Sequence, residues 1–257
     1  IVALIGLVAC TKKGANQSSN YDPKETIRIN LKSEPPSLDW SKSTDTTSAY
    51  VTYNIMEGLT EYNLEDPELS LVPALATEWS SNEDATEWTF KIRKNVTWTD
   101  GKPFTAQHVA DGWKRLLDPE TASQYAYFLY SLKNAQAFNE GKVEDFSAVG
   151  VTVVDDHTLK VSLRQPKSYF PYLMTHHSTY PIRLDVVEKH GDSWTEPENI
   201  VTLGAYKLKE WVHDKHMVWE RNNNYYGDKP KTKYVYGQMI IEHSTALNLF
   251  EAGKIDV

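Results

Sequence analysis

The chain has 257 residues, of which 40% are hydrophobic and 24% are charged. These fractions are ordinary for a water-soluble globular protein, and they exclude a disordered or fibrous chain. The formal net charge of -8 argues against a nucleic-acid partner, because binding to a phosphate backbone requires clustered Lys and Arg side chains.

An apolar segment, 1–10, opens the chain and is too short to cross a bilayer as a helix, which takes about 20 residues. Its end, Leu7-Val8-Ala9-Cys10, resembles a bacterial lipobox, in which the bond before the cysteine is cleaved and the thiol is lipidated. The alternative is a lone buried cysteine. Because Cys10 is the only cysteine and a polar tether follows at 11–25, we predict a signal-peptide remnant and lipidation of Cys10.

Strands are predicted where apolar and polar residues alternate with the two-residue period of an extended chain. We expect three hairpins, which join 87–93 to 96–98, 150–154 to 158–163, and 205–211 to 216–221. The predicted strands are 26–31, 87–93, 96–98, 150–154, 158–163, 205–211, 216–221 and 233–241.

Helices are predicted at 46–59, 106–117, 184–190 and 244–253, where apolar residues recur at helical spacing. Gly58 is expected to end the first helix, and the Thr105 hydroxyl to cap the second. Strands and helices without a repeating strand–helix–strand period predict an α/β or α+β mixture with at least two sheets. The last residues, 254–257, look like the start of a strand without a partner, so we expect a fragment at both ends.

Motifs for catalysis or metal binding are weak. The pairs His176-His177 and His213 with His216 have no Cys or HExxH partner nearby, whereas zinc needs three or four converging ligands. No GxSxG, P-loop or dinucleotide fingerprint is present, and no acid–base pair can be assigned from spacing. We therefore predict no metal, no cofactor and no enzymatic activity; a surface peptidase is the alternative from another functional class.

Two blocks carry a resemblance to a known family. Residues 73–79 and 88–106 closely resemble the signature of extracellular solute-binding protein family 5, and the similarity extends from about 27 to the end of the chain. Further motifs are similar to its oligopeptide-binding members and favour peptides over nickel chelates or sugars. These are Ser37-Leu38-Asp39, Glu57-Gly58-Leu59, 121–125 and 191–202. The sequence departs from the family pattern at Trp40, Leu203 and Asn223.

The resemblance implies an α/β fold of the periplasmic binding protein type II kind, with mixed sheets and helices. Main lobe I would comprise 26–58 and 179–257, a smaller lobe II would be inserted at 59–178, and the second main lobe would be missing from the fragment. The implied function is that of a monomeric, lipid-anchored extracytoplasmic protein, in the periplasm or on the outer face of the cell envelope. It would capture short peptides for the membrane subunits of an ABC-type oligopeptide importer. A receptor for peptide pheromones, dipeptides or haem on the same frame stays open.

The resemblance also suggests which residues contact a peptide. Thr44, Asp45, Thr46 and Thr47 match a strand-like edge that pairs with the peptide backbone, although the same residues also suit a helix N-cap. Tyr125 matches a tyrosine in the ligand cleft. In the same way His176 matches a position that lines a side-chain pocket; the alternative is a surface histidine.

Overall fold

Residues 21–257 are described by the computed structural model, and they form mixed sheets and helices as the sequence predicts. The strands are β1 (Thr26–Asn30), β2 (Thr60–Tyr62), β3 (Leu71–Pro73), β4 (Ala76–Ser81), β5 (Glu87–Ile92), β6 (Val151–Asp155), β7 (Thr158–Ser162), β8 (Tyr206–Val212), β9 (His216–Arg221) and β10 (Tyr234–Gln238). The helices are α1 (Thr46–Ile55), α2 (Ala106–Leu117), α3 (Ala135–Asn139), α4 (Phe170–Leu173), α5 (Leu184–His190) and α6 (His243–Glu251).

The first sheet combines the start of the described chain with its end. Its strand order is β1-β10-β9-β8, in which β1 and β10 are parallel and the other pairs are antiparallel. The predicted hairpin of β8 and β9 is confirmed. Strands from both ends of the chain share this sheet, whereas the sheet β4-β5-β7-β6 uses only the middle. The lobe boundaries proposed above are compatible with this topology and stay a prediction.

One predicted hairpin is wrong. Strand β5 pairs with β4 and β7, not with the segment that follows it. After β5 the chain turns at Asn95, which has a φ of 62°, and Val96 and Trp98 are buried in the core. The alternation of apolar and polar residues in 87–98 indicates that one face of the segment is buried. It does not identify the strand with which β5 pairs. The β6–β7 hairpin, by contrast, is confirmed.

Two chain segments differ from expectation at their ends. Helix α1 ends at Ile55, three residues before Gly58. Gly58 is needed for a close approach, since a Cβ there would lie 2.1 Å from the carbonyl oxygen of Met174. The segment 254–257 was expected to lack a partner, but the Asp256 amide donates to the Arg28 carbonyl at 2.7 Å. The end of the chain therefore runs beside β1.

Helix α2 connects the middle of the chain to the segment after 178. The Trp113 indole donates to the Thr179 carbonyl at 2.9 Å, and Gly112 packs against the backbone of Tyr180. On the same helix Arg115 forms a bidentate ion pair with Asp39, with N–O distances of 2.6 and 2.7 Å. Because both side chains are nearly buried, loss of either would leave an unpaired buried charge.

Within residues 21–257 none of the helices has the length and apolar character needed to span a membrane.

We predict that Gly112→Ala destabilises the protein by roughly 1 to 2 kcal/mol, as expected for overpacking that the better helix propensity of Ala only partly offsets. A Cβ at Gly112 would lie 2.5 Å from the Tyr180 carbonyl oxygen, which is backbone and cannot swing away. Urea unfolding of the variant and of Lys114→Ala, an exposed change on the same helix, measures this. Equal stability of the two variants would contradict the packing described here.

Candidate functional site

The start of α1 is one wall of the candidate site. Asp45 is the N-cap of α1, and its carboxylate accepts a hydrogen bond from the Ser48 amide at 2.8 Å. Thr44 and Thr46 are exposed, and the Thr47 hydroxyl lies 3.3 Å from that of Ser33. The N-cap interpretation is thus confirmed for Asp45, and a role of 44–47 in pairing with a peptide stays a prediction.

Tyr125 and His176 lie together beside this wall, as the resemblance implies for a shared site. The Tyr125 hydroxyl donates to the Thr44 carbonyl at 3.3 Å. The Tyr125 ring meets the His176 ring edge-on, with centroids 4.9 Å apart. The Phe128 ring stacks on the His176 ring, with centroids 4.1 Å apart, and meets the Tyr125 ring edge-on. Three of the residues selected from sequence therefore form one contiguous group.

His176 is held in its neutral form. Burial, followed by the neighbouring His177, lowers the pKa of His176 to about 4. His177 is buried, with Nε2 at 3.3 Å from the Ser43 carbonyl and Nδ1 at 3.4 Å from the Tyr53 hydroxyl, and burial lowers its pKa as well. At neutral pH the group therefore presents rings, hydroxyls and carbonyls without a positive charge.

A cavity of about 700 Å³ extends from His176 and Phe128. This volume is within the range of small-molecule sites, roughly 300 to 1,000 Å³. Six tyrosines and one phenylalanine contribute to its wall, namely Tyr53, Tyr62, Phe128, Tyr172, Tyr180, Tyr206 and Tyr225.

Sequence reasoning missed most of this cavity. Its aromatic residues come from four separate parts of the chain, so no local spacing identifies them. The structure leaves two of these rings partly in solvent, Tyr53 on α1 and Tyr62 on the short strand β2. Rings in such positions are typical of wet ligand sites.

Glu57 is a partly buried carboxylate of the cavity wall, held between two tyrosines. The hydroxyls of Tyr225 and Tyr226 each donate to one oxygen of its carboxylate. Arg93 lies over the Tyr226 ring, 4.6 Å from its centroid. Burial raises the pKa of Glu57 to about 7, against the opposing effects of the two tyrosine hydrogen bonds and of Arg93. Near neutral pH the carboxyl is therefore close to half protonated.

The remaining sequence candidates lie elsewhere. His213 Nδ1 is 2.8 Å from a Glu34 oxygen, and His216 Nε2 is 2.9 Å from a Glu210 oxygen, so each pairs with a different carboxylate. In the described part of the chain no group of three or more His, Cys, Asp or Glu side chains converges as metal ligands would. Cys10 lies outside the described residues.

This fold belongs to a class of proteins, the extracellular solute-binding proteins of bacteria. Residues 70–257 match the family model described as bacterial extracellular solute-binding proteins, family 5. The chain belongs to this family, and the resemblance inferred from its motifs is confirmed.

Named relatives make the comparison more specific. The periplasmic oligopeptide-binding protein OppA of Salmonella typhimurium is 38% identical over 263 residues, covering 100% of this chain and 47% of the relative. The substrate-binding domain of an oligopeptide ABC transporter from Bacillus anthracis superposes with a TM-score of 0.85 at 35% identity, covering 91% of this chain and 45% of that one. Haemophilus influenzae OppA in complex with RPPGFSPFR gives 0.83 at 36% identity, with 91% and 45% covered. The chain thus spans a little under half the length of these relatives. The superpositions confirm the periplasmic binding protein type II architecture for the part that the chain covers.

We predict that Glu57 makes the protein less stable as the pH rises from 4.5 towards 7. Its pKa is raised from the usual 4.5 to about 7 in the folded state, so the folded form binds the proton more tightly. This contribution is complete below pH 4.5 and is lost through about pH 7, up to roughly 3 kcal/mol. In Glu57→Gln the loss should be absent, as measured by urea unfolding at about pH 5 and about pH 7.5.

Because His176 also titrates in this pH range, the pH dependence of stability must be compared between the wild type and Glu57→Gln. The lowered pKa of His176 makes stability rise over an overlapping pH range. This opposing effect cancels when Glu57→Gln is subtracted from the wild type at each pH. A difference between the two proteins that does not change with pH would contradict the assignment.

Proposed function

We propose that this chain is part of an extracytoplasmic receptor that captures short peptides and delivers them to the membrane subunits of an ABC-type importer. The receptor is a monomer that binds without cleaving its ligand. Cys10 carries the lipid that anchors it to a membrane of the cell envelope. The ligand shifts an equilibrium between open and closed forms, and the permease recognises the closed one.

The observation that carries the proposal is the contact of Tyr125 with Thr44, beside His176. The 3.3 Å hydrogen bond joins a ring from the middle of the chain to backbone at the start of α1, where Thr44 and Thr46 are exposed. Solvent-exposed residues beside uncharged rings suit a ligand whose own backbone forms the hydrogen bonds, which is how extended peptides of varied sequence are held. The likeness to oligopeptide-binding relatives supports the same ligand class.

Ligands that co-purify with the full-length protein test the proposal. We expect mass spectrometry of the denatured protein to show short peptides, and calorimetry with these peptides to show one site. A peptide incubated with fresh protein should be recovered intact. Recovery of haem alone, or cleavage of many peptides per protein molecule that persists through repurification, would overturn the proposal in favour of one of the alternatives.

Tyr125→Ala in the full-length protein should weaken peptide binding by roughly 1 to 2 kcal/mol, about 5- to 30-fold in Kd, because an aromatic contact and a hydroxyl bond are lost. Calorimetry measures the affinity. Tyr169→Ala is the matched control, since this tyrosine is exposed and lies outside the group. Equal affinities of the two variants would place Tyr125 outside the binding site.

Cys10→Ser should release the protein from the membrane, because the serine hydroxyl cannot take the place of the thiol that the lipid modifies. Both forms of the full-length gene are expressed in a bacterium, and the membrane and soluble fractions are compared. Equal partition of the two forms into membranes would contradict lipid anchoring through Cys10.

A further inference from the structure

Glu61 is a carboxylate in an aromatic cavity, and no side-chain partner for it is found among the described residues 21–257. It lies on β2 and lines the cavity together with Glu57. The Glu61 side chain makes no hydrogen bond or ion pair with any residue in 21–257. The Glu61 side chain is still open to solvent, and the surrounding cavity wall withholds part of its hydration, which raises its pKa. A charge kept in such a place is compensated when a cation binds.

The surroundings of Glu61 supply no cation of their own. None of the cavity-lining residues in the described chain is Lys or Arg. His176 stays neutral, as shown above, and Arg93 is engaged by the Tyr226 ring and by the Ala74 carbonyl, to which its Nε donates at 2.9 Å. The cavity therefore combines negative charge with apolar walls.

The rings next to Glu61 add a second attraction for positive charge. Tyr62 and Tyr172 lie with centroids 6.1 Å apart near the mouth, and both line the cavity with Tyr53. The faces of aromatic rings attract ammonium and guanidinium groups, more strongly where water is partly excluded. The long methylene stem of Lys or Arg would in turn bury apolar surface along such walls.

We propose that this cavity is a side-chain subsite that selects a cationic residue, Lys or Arg, of the bound peptide, with Glu61 as the specificity-determining residue. The inference rests on the proposed function, because the cavity begins at His176 and Phe128, which pack against Tyr125. A peptide held beside Tyr125 can thus direct one side chain into the cavity. The volume of about 700 Å³ leaves room for an extended lysine or arginine side chain with water.

The test uses tetra-alanine peptides in which one position at a time carries Lys, norleucine or Glu, titrated into the full-length protein by calorimetry. At one position we expect the wild type to bind the Lys peptide about 3- to 10-fold more tightly than the norleucine peptide, and the Glu peptide most weakly. Glu61→Gln should remove the preference for Lys, so that the Lys and norleucine peptides bind with similar affinity. Glu61→Lys should reverse the order of the Lys and Glu peptides.

Glu65→Gln is the matched control, because it removes the same charge from an exposed loop position that does not line the cavity; it should retain the wild-type order. Thermal unfolding checks that each variant is folded. If the peptides bind the wild type equally whatever the substituted side chain, or if Glu65→Gln abolishes the preference as Glu61→Gln does, the inference is wrong while the proposed function stands. If no peptide binds at all, the proposed function itself fails.

Discussion

The parallel pairing of β1 with β10 is the constraint on which the rest of the structure depends. It joins the first strand of the described chain to one of the last, in register from Thr26 opposite Tyr234 to Asn30 opposite Gln238. Closing so long a loop costs conformational entropy, and burial along the sheet offsets this cost. The end of the chain adds to the same edge, since Arg28 binds the Asp256 carboxylate through Nε and a terminal nitrogen at 3.0 and 2.6 Å. The position of α1, and hence of the candidate site, follows from this closure.

Close packing around the segment that follows α1 also constrains the position of the candidate site. The Gly204 amide donates to the Ile55 carbonyl at 2.8 Å, and the Thr60 hydroxyl donates to the Pro171 carbonyl at 2.7 Å. Together with the close approach at Gly58, these bonds bring three distant segments to one point. The cavity opens beside that point, so its wall is assembled by backbone contacts that most side-chain substitutions would leave in place.

The periodicity of apolar residues predicted the helices, whose pattern lies within one segment. It failed for strand pairing, which depends on a segment distant in sequence. Leu184–His190 and Ala106–Leu117 begin and end where helical spacing places them. The partner of β5 could not be derived, because its alternation is satisfied equally by any strand that covers the same face. The selection of Tyr125 and His176 as site residues followed from family resemblance alone, and their contact is seen only in the structure. Glu57 with Tyr225 and Tyr226 was not predictable from spacing, since the residues are far apart in sequence and only the fold unites them.

Desolvation favours the neutral form of both the acidic and the basic groups of the site. It lowers the pKa of His176 to about 4 and raises that of Glu57 to about 7, so both groups move towards their neutral forms near pH 7. The group of rings around Tyr125 therefore carries no positive charge at neutral pH, which suits the backbone recognition proposed above. Glu61 differs because its shift is caused by burial alone and no described partner offsets it. In the function proposed above, backbone recognition beside Tyr125 and charge recognition at Glu61 would use different groups in adjoining space, so broad tolerance and selectivity for one side chain would not exclude each other.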